Sequence, residues 1–236
     1  MAFLQRASRT GFSLVSRAVR PASARFYSAN PIVDEDLYNR QRSTIELGPR
    51  VPHIAGDAFI APSAVVVGDV DIFDGVSIMY GAVVRGDLNN IKVGAFSNIQ
   101  DKAVVHAARS SPTGLSAATT IGSFVTVGAG SILRSCAVQD NVKIGKKCIV
   151  MEGAVVEKNA ILVDGTVVPP GRMIPAGQMW SGNPATYVRD CTEEEVEDIA
   201  VVAEQASELR KAHATEFLPY STAYIDAEKL RAWQKS

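Results

Sequence analysis

The residues best equipped for chemistry sit close together: Arg85-Gly86-Asp87, then Asn98-Ile99-Gln100-Asp101, then His106. They supply a guanidinium, carboxylates, a carboxamide and an imidazole. An imidazole beside a carboxylate can move protons, and with two more nitrogen or sulfur donors it can hold a metal. The partners for either task are scarce. Of the three histidines, His53 precedes the patterned part of the chain and His213 lies in a helical stretch; neither has metal-ligand neighbours, and both read as structural. The loop from Ala107 to Thr120 contains no Asp, Glu or His, so it offers no group for proton relay. Cys136, Cys148 and Cys191 are odd in number and unclustered, which favours a reducing compartment and argues against a CxxC metal site. Taken alone, Arg-Gly-Asp is a turn with a salt bridge, and His106 is an ordinary surface or interface histidine.

What must position these residues is a metre. An aliphatic returns every sixth residue at Ile54, Ile60, Val66, Ile72, Ile78 and Val84, and after a slip at Val93, Ile99 and Val105. After a longer break come Ile121, Val127 and Leu133; the metre shortens by one at Val138, then runs Ile144, Val150, Val156, Leu162, Val168, Ile174. No helix has period six, and a plain alternating strand has period two. Period six predicts an all-β solenoid of short parallel strands wound into about seven three-sided coils. Glycine often follows the aliphatic, as at Gly94, Gly122, Gly128 and Gly145.

Four segments are expected. Residues 1–27 hold five of the 24 basic residues (Arg6, Arg9, Arg17, Arg20, Arg25) and none of the 25 acidic ones, the composition of a mitochondrial presequence. Arg25-Phe26-Tyr27-Ser28 resembles a processing-peptidase site with a cut after Tyr27. Residues 28–53 form a lead-in broken by Pro31, Pro49 and Pro52. Residues 54–179 are the β-helix, whose open first coil needs a cover. Residues 180–236 are a turn, a helix and a tail. Thr192 with Glu195 makes a capping box, and Val196, Ile199, Val202, Ala203, Ala206 and Leu209 make a stripe to pack along the solenoid wall. The tail from Phe217 to Tyr224 is apolar for a terminus and points to contact with a partner or the prism. A formal charge of -1 gives no electrostatic case for nucleic acid. No apolar run approaches the ~20 residues a spanning helix needs.

Arg85-Gly86-Asp87, Asn98-Ile99-Gln100-Asp101, His106 and Val125-Thr126-Val127-Gly128, at their separations, resemble the gamma-class carbonic anhydrases over roughly residues 50–235. That family folds as left-handed β-helix trimers with zinc at subunit interfaces. Val127-Gly128-Ala129, Leu133-Arg134-Ser135-Cys136, Met151-Glu152-Gly153 and Phe217-Leu218-Pro219-Tyr220 are similar to the carbonic-anhydrase-like branch associated with mitochondrial complex I in plants and algae.

The resemblance implies three zinc histidines, of which His106 is the sole match; the other two fall on Ala129 and Arg134. Alanine has no donor atom, and arginine has no lone pair to give a metal. It implies that Arg85 and Asp87 pair across the trimer interface and that Gln100 orients a zinc-bound hydroxide in active relatives. Here Gln100 and Asp101 read as remnants, and Arg85, Asp87 and Gln100 as trimer-interface residues. The expectation is therefore a non-catalytic subunit of NADH:ubiquinone oxidoreductase (complex I). It joins a heterotrimer with active-type relatives, peripheral on the matrix side of the inner membrane. This chain alone binds no cofactor, and zinc is left to a neighbouring interface. Two other classes stay open: a carbonic anhydrase whose sites neighbouring chains complete, and a hexapeptide-repeat acyltransferase. Zinc content separates the first, and acyl-coenzyme A binding the second.

Overall fold

The computed structural model describes residues 43–111, Gly114 and 116–216. Over these residues the chain is a left-handed parallel β-solenoid of about seven coils with one helix, Glu193–Glu216. The expected presequence and the Phe217–Tyr224 tail lie outside the described residues.

Each coil lays one short strand on each of three walls. On the first wall Val66, Val84, Val105, Leu133, Val150 and Val168 are register partners on successive coils, and each is 0% exposed. The same inward stacking repeats on the other walls. Every metre residue from Val66 to Ile174 is at most 4% exposed, which is why selection for burial writes a period of six into the sequence. Each contributes about 1.5–3 kcal/mol of apolar burial. The glycines that follow the aliphatics have their own reason. A Cβ on Gly128 would meet the carbonyl carbon of Gly145, one coil on, at 2.4 Å, so these backbones stack too closely for a side chain.

The interruptions of the metre share one place. Coils run 18 residues where Val65 pairs with Val83, 21 from Val83 to Val104, 28 from Val104 to Ile132, and 17 from Ile132 to Ile149. The first insertion follows Gly86, because Gly68 pairs with Gly86 but Val70 with Ile91. The second follows His106, because Arg85 pairs with His106 but Ile91 with Thr119. The deletion follows Leu133, because Leu133 pairs with Val150 but Val138 with Val156. All three lie where the chain turns from the first wall to the second. A corner absorbs a change of length without moving the strands on either side.

The first coil begins earlier than the metre implies. Thr44–Ile45 pairs in parallel with Val66–Val67, so part of the lead-in covers the open edge. At the far end Trp180 pairs with Leu162 and is 6% exposed, so the last coil runs past 179 before Thr186–Asp190 returns antiparallel.

The helix lies on the third wall, over Phe59–Ile60, Ser77–Ile78, Asn98–Ile99 and Thr126–Val127. Its start follows the capping box: Glu195 N donates to Thr192 Oγ1 (3.3 Å) and Thr192 N to Glu195 Oε2 (3.0 Å). Arg189 clamps the same carboxylate at 2.6 and 2.7 Å. These bonds hold Glu195 down to about 2. The buried face is Ile199, Ala203, Ala206 and Arg210. Leu209, expected in that stripe, is 53% exposed. Steps of four, three and four residues lead from Ile199 to Arg210, and Leu209 falls one residue, about 100°, off that face. His213 continues it, its Nδ1 2.9 Å from Tyr80 Oη and its ring stacked on Phe59, a structural placement as expected.

Candidate functional site

The corner that absorbs the irregularities carries the chemistry. His106 and Arg134 end the strands Val104–His106 and Ile132–Arg134, Arg85 lies within Val83–Val93, and the three are register partners on successive coils of the first wall. Alternation along each strand turns the preceding residue (Val84, Val105, Leu133) inward, so these three face outward. Arg85 donates through Nε and a terminal nitrogen to Asp87 Oδ2, at 2.8 and 2.6 Å. Arg134 Nε lies 2.9 Å from Glu152 Oε1. The imidazole thus stands between two guanidiniums, each with its own carboxylate.

The electrostatics follow. Burial lowers the His106 pKa, the charges of Arg85 and Arg134 lower it further, and Asp87 and Glu152 oppose them only in part. Burial pushes Asp87 up, but the hydrogen bonds and charge of Arg85 outweigh it and leave the carboxyl below its ordinary range. Its other oxygen, Oδ1, is buried without a hydrogen-bond partner in this chain. Ser135 closes the shortened corner. Its N–H donates to His106 O (3.0 Å), its Oγ accepts from Ala108 N (2.6 Å), and its carbonyl accepts from Gly153 N (2.8 Å).

The remaining motif residues lie elsewhere. Gln100, Asp101 and Ala129 occupy the corner where the third wall turns into the first. Gln100 Oε1 accepts from Ala129 N (3.1 Å), and Asp101 Oδ1 accepts from Tyr80 N (3.0 Å), each tying one coil to the next. Ala129 is therefore at the opposite edge of the first wall from His106 and Arg134. In this chain the Arg85–Asp87 pair, implied by resemblance to bridge two chains, closes within one.

Sequence reasoning passed over Ser135 and Glu152 as actors, although both had a readable signal. Ser135 sits where the metre loses a residue, and Glu152 is an acid one coil and one residue beyond Arg134. Burial removes two cysteines from chemistry: Cys136 is pushed up to about 12, and Cys148 is raised as well.

The first wall is also apolar outside. Val65, Val83, Val104, Ile132, Ile149 and Val167 form a second register column on its outer face, with Ile132 40% exposed. Strands that are apolar on both faces belong between two layers.

Known proteins are similar to this chain in sequence and in fold. Gamma carbonic anhydrase-like 1, mitochondrial, from Arabidopsis thaliana is 51% identical over 194 residues, covering 82% of this chain and 77% of that protein. Gamma carbonic anhydrase 1, mitochondrial, from the same plant is 42% identical over 178 residues, covering 75% of this chain and 65% of that protein. The chain belongs to the gamma carbonic anhydrase family. Residues 46–219 also match the family model for dynactin subunit 5, so the chain belongs to that family too; the match spans the prism and reaches the end of the helix. Among solved structures, a hexapeptide transferase family protein from Anaplasma phagocytophilum superposes with a TM-score of 0.67 at 37% identity, covering 72% of this chain and 96% of that one.

The family implies zinc, and the donor set tests whether this chain can hold it. His106 offers a lone pair; Arg134, its register partner, offers only positively charged N–H groups, and Ala129 offers none. Among the described residues no three His, Cys, Asp or Glu side chains are grouped as metal ligands. These residues do not fit a zinc ion.

Proposed function

We propose that this chain is a non-catalytic gamma carbonic anhydrase-like subunit of mitochondrial complex I. It forms a heterotrimer with active-type relatives, peripheral on the matrix side of the inner membrane arm, and serves assembly or stability. The observation that carries the reading is the division of the expected ligand positions between the two edges of one apolar wall. His106 and Arg134 stand at one edge and Ala129 at the other, so a complete site requires two chains side by side with their first walls turned toward a common axis. The outer column from Val65 to Val167 supplies an apolar surface for that contact. The mitochondrial names of the relatives and the acid-free, arginine-rich residues 1–27 support the compartment.

In this reading each site draws the ligands matching His106 and position 134 from one chain, and the ligand matching position 129 from its neighbour. A trimer with one copy of this chain keeps at most one complete zinc site, and one with two copies keeps none. The test is elemental analysis, with CO₂ hydration assays, on the purified chain and on the trimer isolated from mitochondrial membranes. The chain alone is expected to carry no stoichiometric zinc and no activity. Three fully occupied sites in the mixed trimer would overturn the assignment of Ala129 and Arg134 as lost ligands. Recovery of the trimer without complex I subunits would overturn the proposed partner.

A further inference from the structure

The corner where the second wall turns into the third carries another outward feature, one wall away from His106. Its left-handed residues run Gly75, Phe96, Phe124, Asn141, Asn159 and Gly177, one per coil, with φ between 55° and 71°. Glycine and asparagine adopt that conformation at little cost, whereas a bulky side chain is strained by it. Phe96 and Phe124 are the exceptions in the column. Their rings stack with centroids 5.3 Å apart and 13° between planes, and the Phe96 ring lies so close over Gly75 that a Cβ there would meet it at 2.7 Å. One stacked pair does not offset two strained residues. Phe96 is still 40% exposed, and Phe73, just before the same corner, is 52% exposed, so aromatic surface is left for a partner to bury.

Charge indicates what covers it. Asp74 precedes Gly75, and its carbonyl accepts from Phe96 N (3.0 Å). Asp140 precedes Asn141, and its Oδ1 accepts from Ser123 N (2.7 Å) beside Phe124. A carboxylate therefore stands next to the column on either side of the phenyl pair. Asp74 also lines a cleft with Phe73, Asp71 and His53. Lys92 is the register partner of Asp71, and Arg210 lies 3.8 Å from Asp57, but among the described residues no cation is ion-paired with Asp74 or Asp140. Lysine and arginine have the complementary form, an apolar stem to lie on the rings and a charged head to reach a carboxylate. We propose that Phe96 and Phe124 form a docking shelf for a basic segment of a partner protein, with Asp74 and Asp140 receiving its cations. This corner is opposite the first wall, so it stays outward in a trimer whose first walls face one axis. The inference goes beyond the non-catalytic reading and does not depend on zinc content.

The experiment titrates the full chain against a fluorescein-labelled peptide of alternating arginine and alanine, read by fluorescence anisotropy, with the neutral citrulline counterpart as control. The arginine peptide is expected to bind at least about tenfold tighter than the citrulline peptide. Phe96→Asn combined with Phe124→Asn should weaken the arginine peptide by at least about tenfold at the same salt, although no charge has changed. The same double variant should melt at the parent temperature or above it, because asparagine already holds this conformation at Asn141 and Asn159. Asp74→Asn should weaken binding without moving the melt. A melting temperature several degrees lower in the double variant would show that the rings are corner packing, and the inference falls. It falls equally if the double variant binds the arginine peptide as tightly as the parent, which is attraction to acidic surface alone, or if the citrulline peptide binds as well as the arginine one. None of these outcomes bears on the zinc measurements that test the non-catalytic reading.

Discussion

Leu133 and Ile132 are chain neighbours on opposite faces of the first wall, and that opposition gives the sharpest test of the architecture. Leu133 is 0% exposed and stacked between Val105 and Val150, whereas Ile132 is 40% exposed in the outer column between Val104 and Ile149. Leu133→Ala opens a cavity inside a stack that cannot collapse without shifting whole coils. The expected cost is about 3–5 kcal/mol. At about 2–4 °C per kcal/mol for a chain of this size, the melting temperature should fall by roughly 10 °C. Ile132→Asp acts differently. The isolated prism loses on the order of 1–2 kcal/mol of partial burial, but an assembly that buries this column must also desolvate one carboxylate per chain. A cost of several kcal/mol per charge raises the dissociation constant by about a hundredfold or more. Differential scanning calorimetry reads the first effect, and sedimentation velocity with the relatives as partners reads the second. If Leu133→Ala melts within about 2 °C of the parent, the inward register is wrong. If Ile132→Asp assembles normally, the first wall is not the contact surface.

Two further outcomes follow from the capping box and the glycine stack. Glu195 is held down to about 2, below its ordinary carboxylate value, by Arg189 and the Thr192 backbone, so its contribution is present above the ordinary value and is lost as pH falls toward 2. Helix content followed by circular dichroism between pH 5 and 2 should drop in that window; Glu195→Gln should abolish this pH dependence, and an unchanged profile would refute the anchor. Gly128→Ala places a Cβ 2.4 Å from the Gly145 backbone, so it should lower the melting temperature by several degrees, whereas alanine at Gly56, where no atom lies within 4 Å, should not.

The fold was legible because burial in a solenoid repeats with the coil, and every aliphatic from Val66 to Ile174 that kept the metre proved inward. The outer column was equally present in the sequence, one residue before each first-wall member, yet period six says nothing about which outer faces are covered. Thr44–Ile45 escaped because a two-residue strand held by its neighbour has no periodicity of its own. Leu209 was misplaced because an apolar residue type was given more weight than its angle; the helix buries Arg210 instead, with its guanidinium 3.8 Å from Asp57. At the site, His106, Ala129 and Arg134 are ligand positions only by what the resemblance implies. Glu152 enters the resemblance only within Met151-Glu152-Gly153, and its pairing with Arg134 is found by counting one coil forward and one residue more.

That counting explains why the chemistry collects where the metre fails. Strands inside a wall are fixed on both sides by register partners, so inserting a residue there would turn every later side chain to the wrong face. A corner has no such constraint. The three changes of coil length, after Gly86, after His106 and after Leu133, all fall at one corner on three consecutive coils. They bring Asp87 back onto Arg85, lead the chain away after His106 into a loop, and draw Ser135 tight enough to bond across three segments. Each irregularity reorients one residue of the same outward cluster while the buried column beneath it stays in register. In a chain built on repeats, the places where the count is broken therefore gather Arg85, Asp87, His106 and Arg134 at one outward corner.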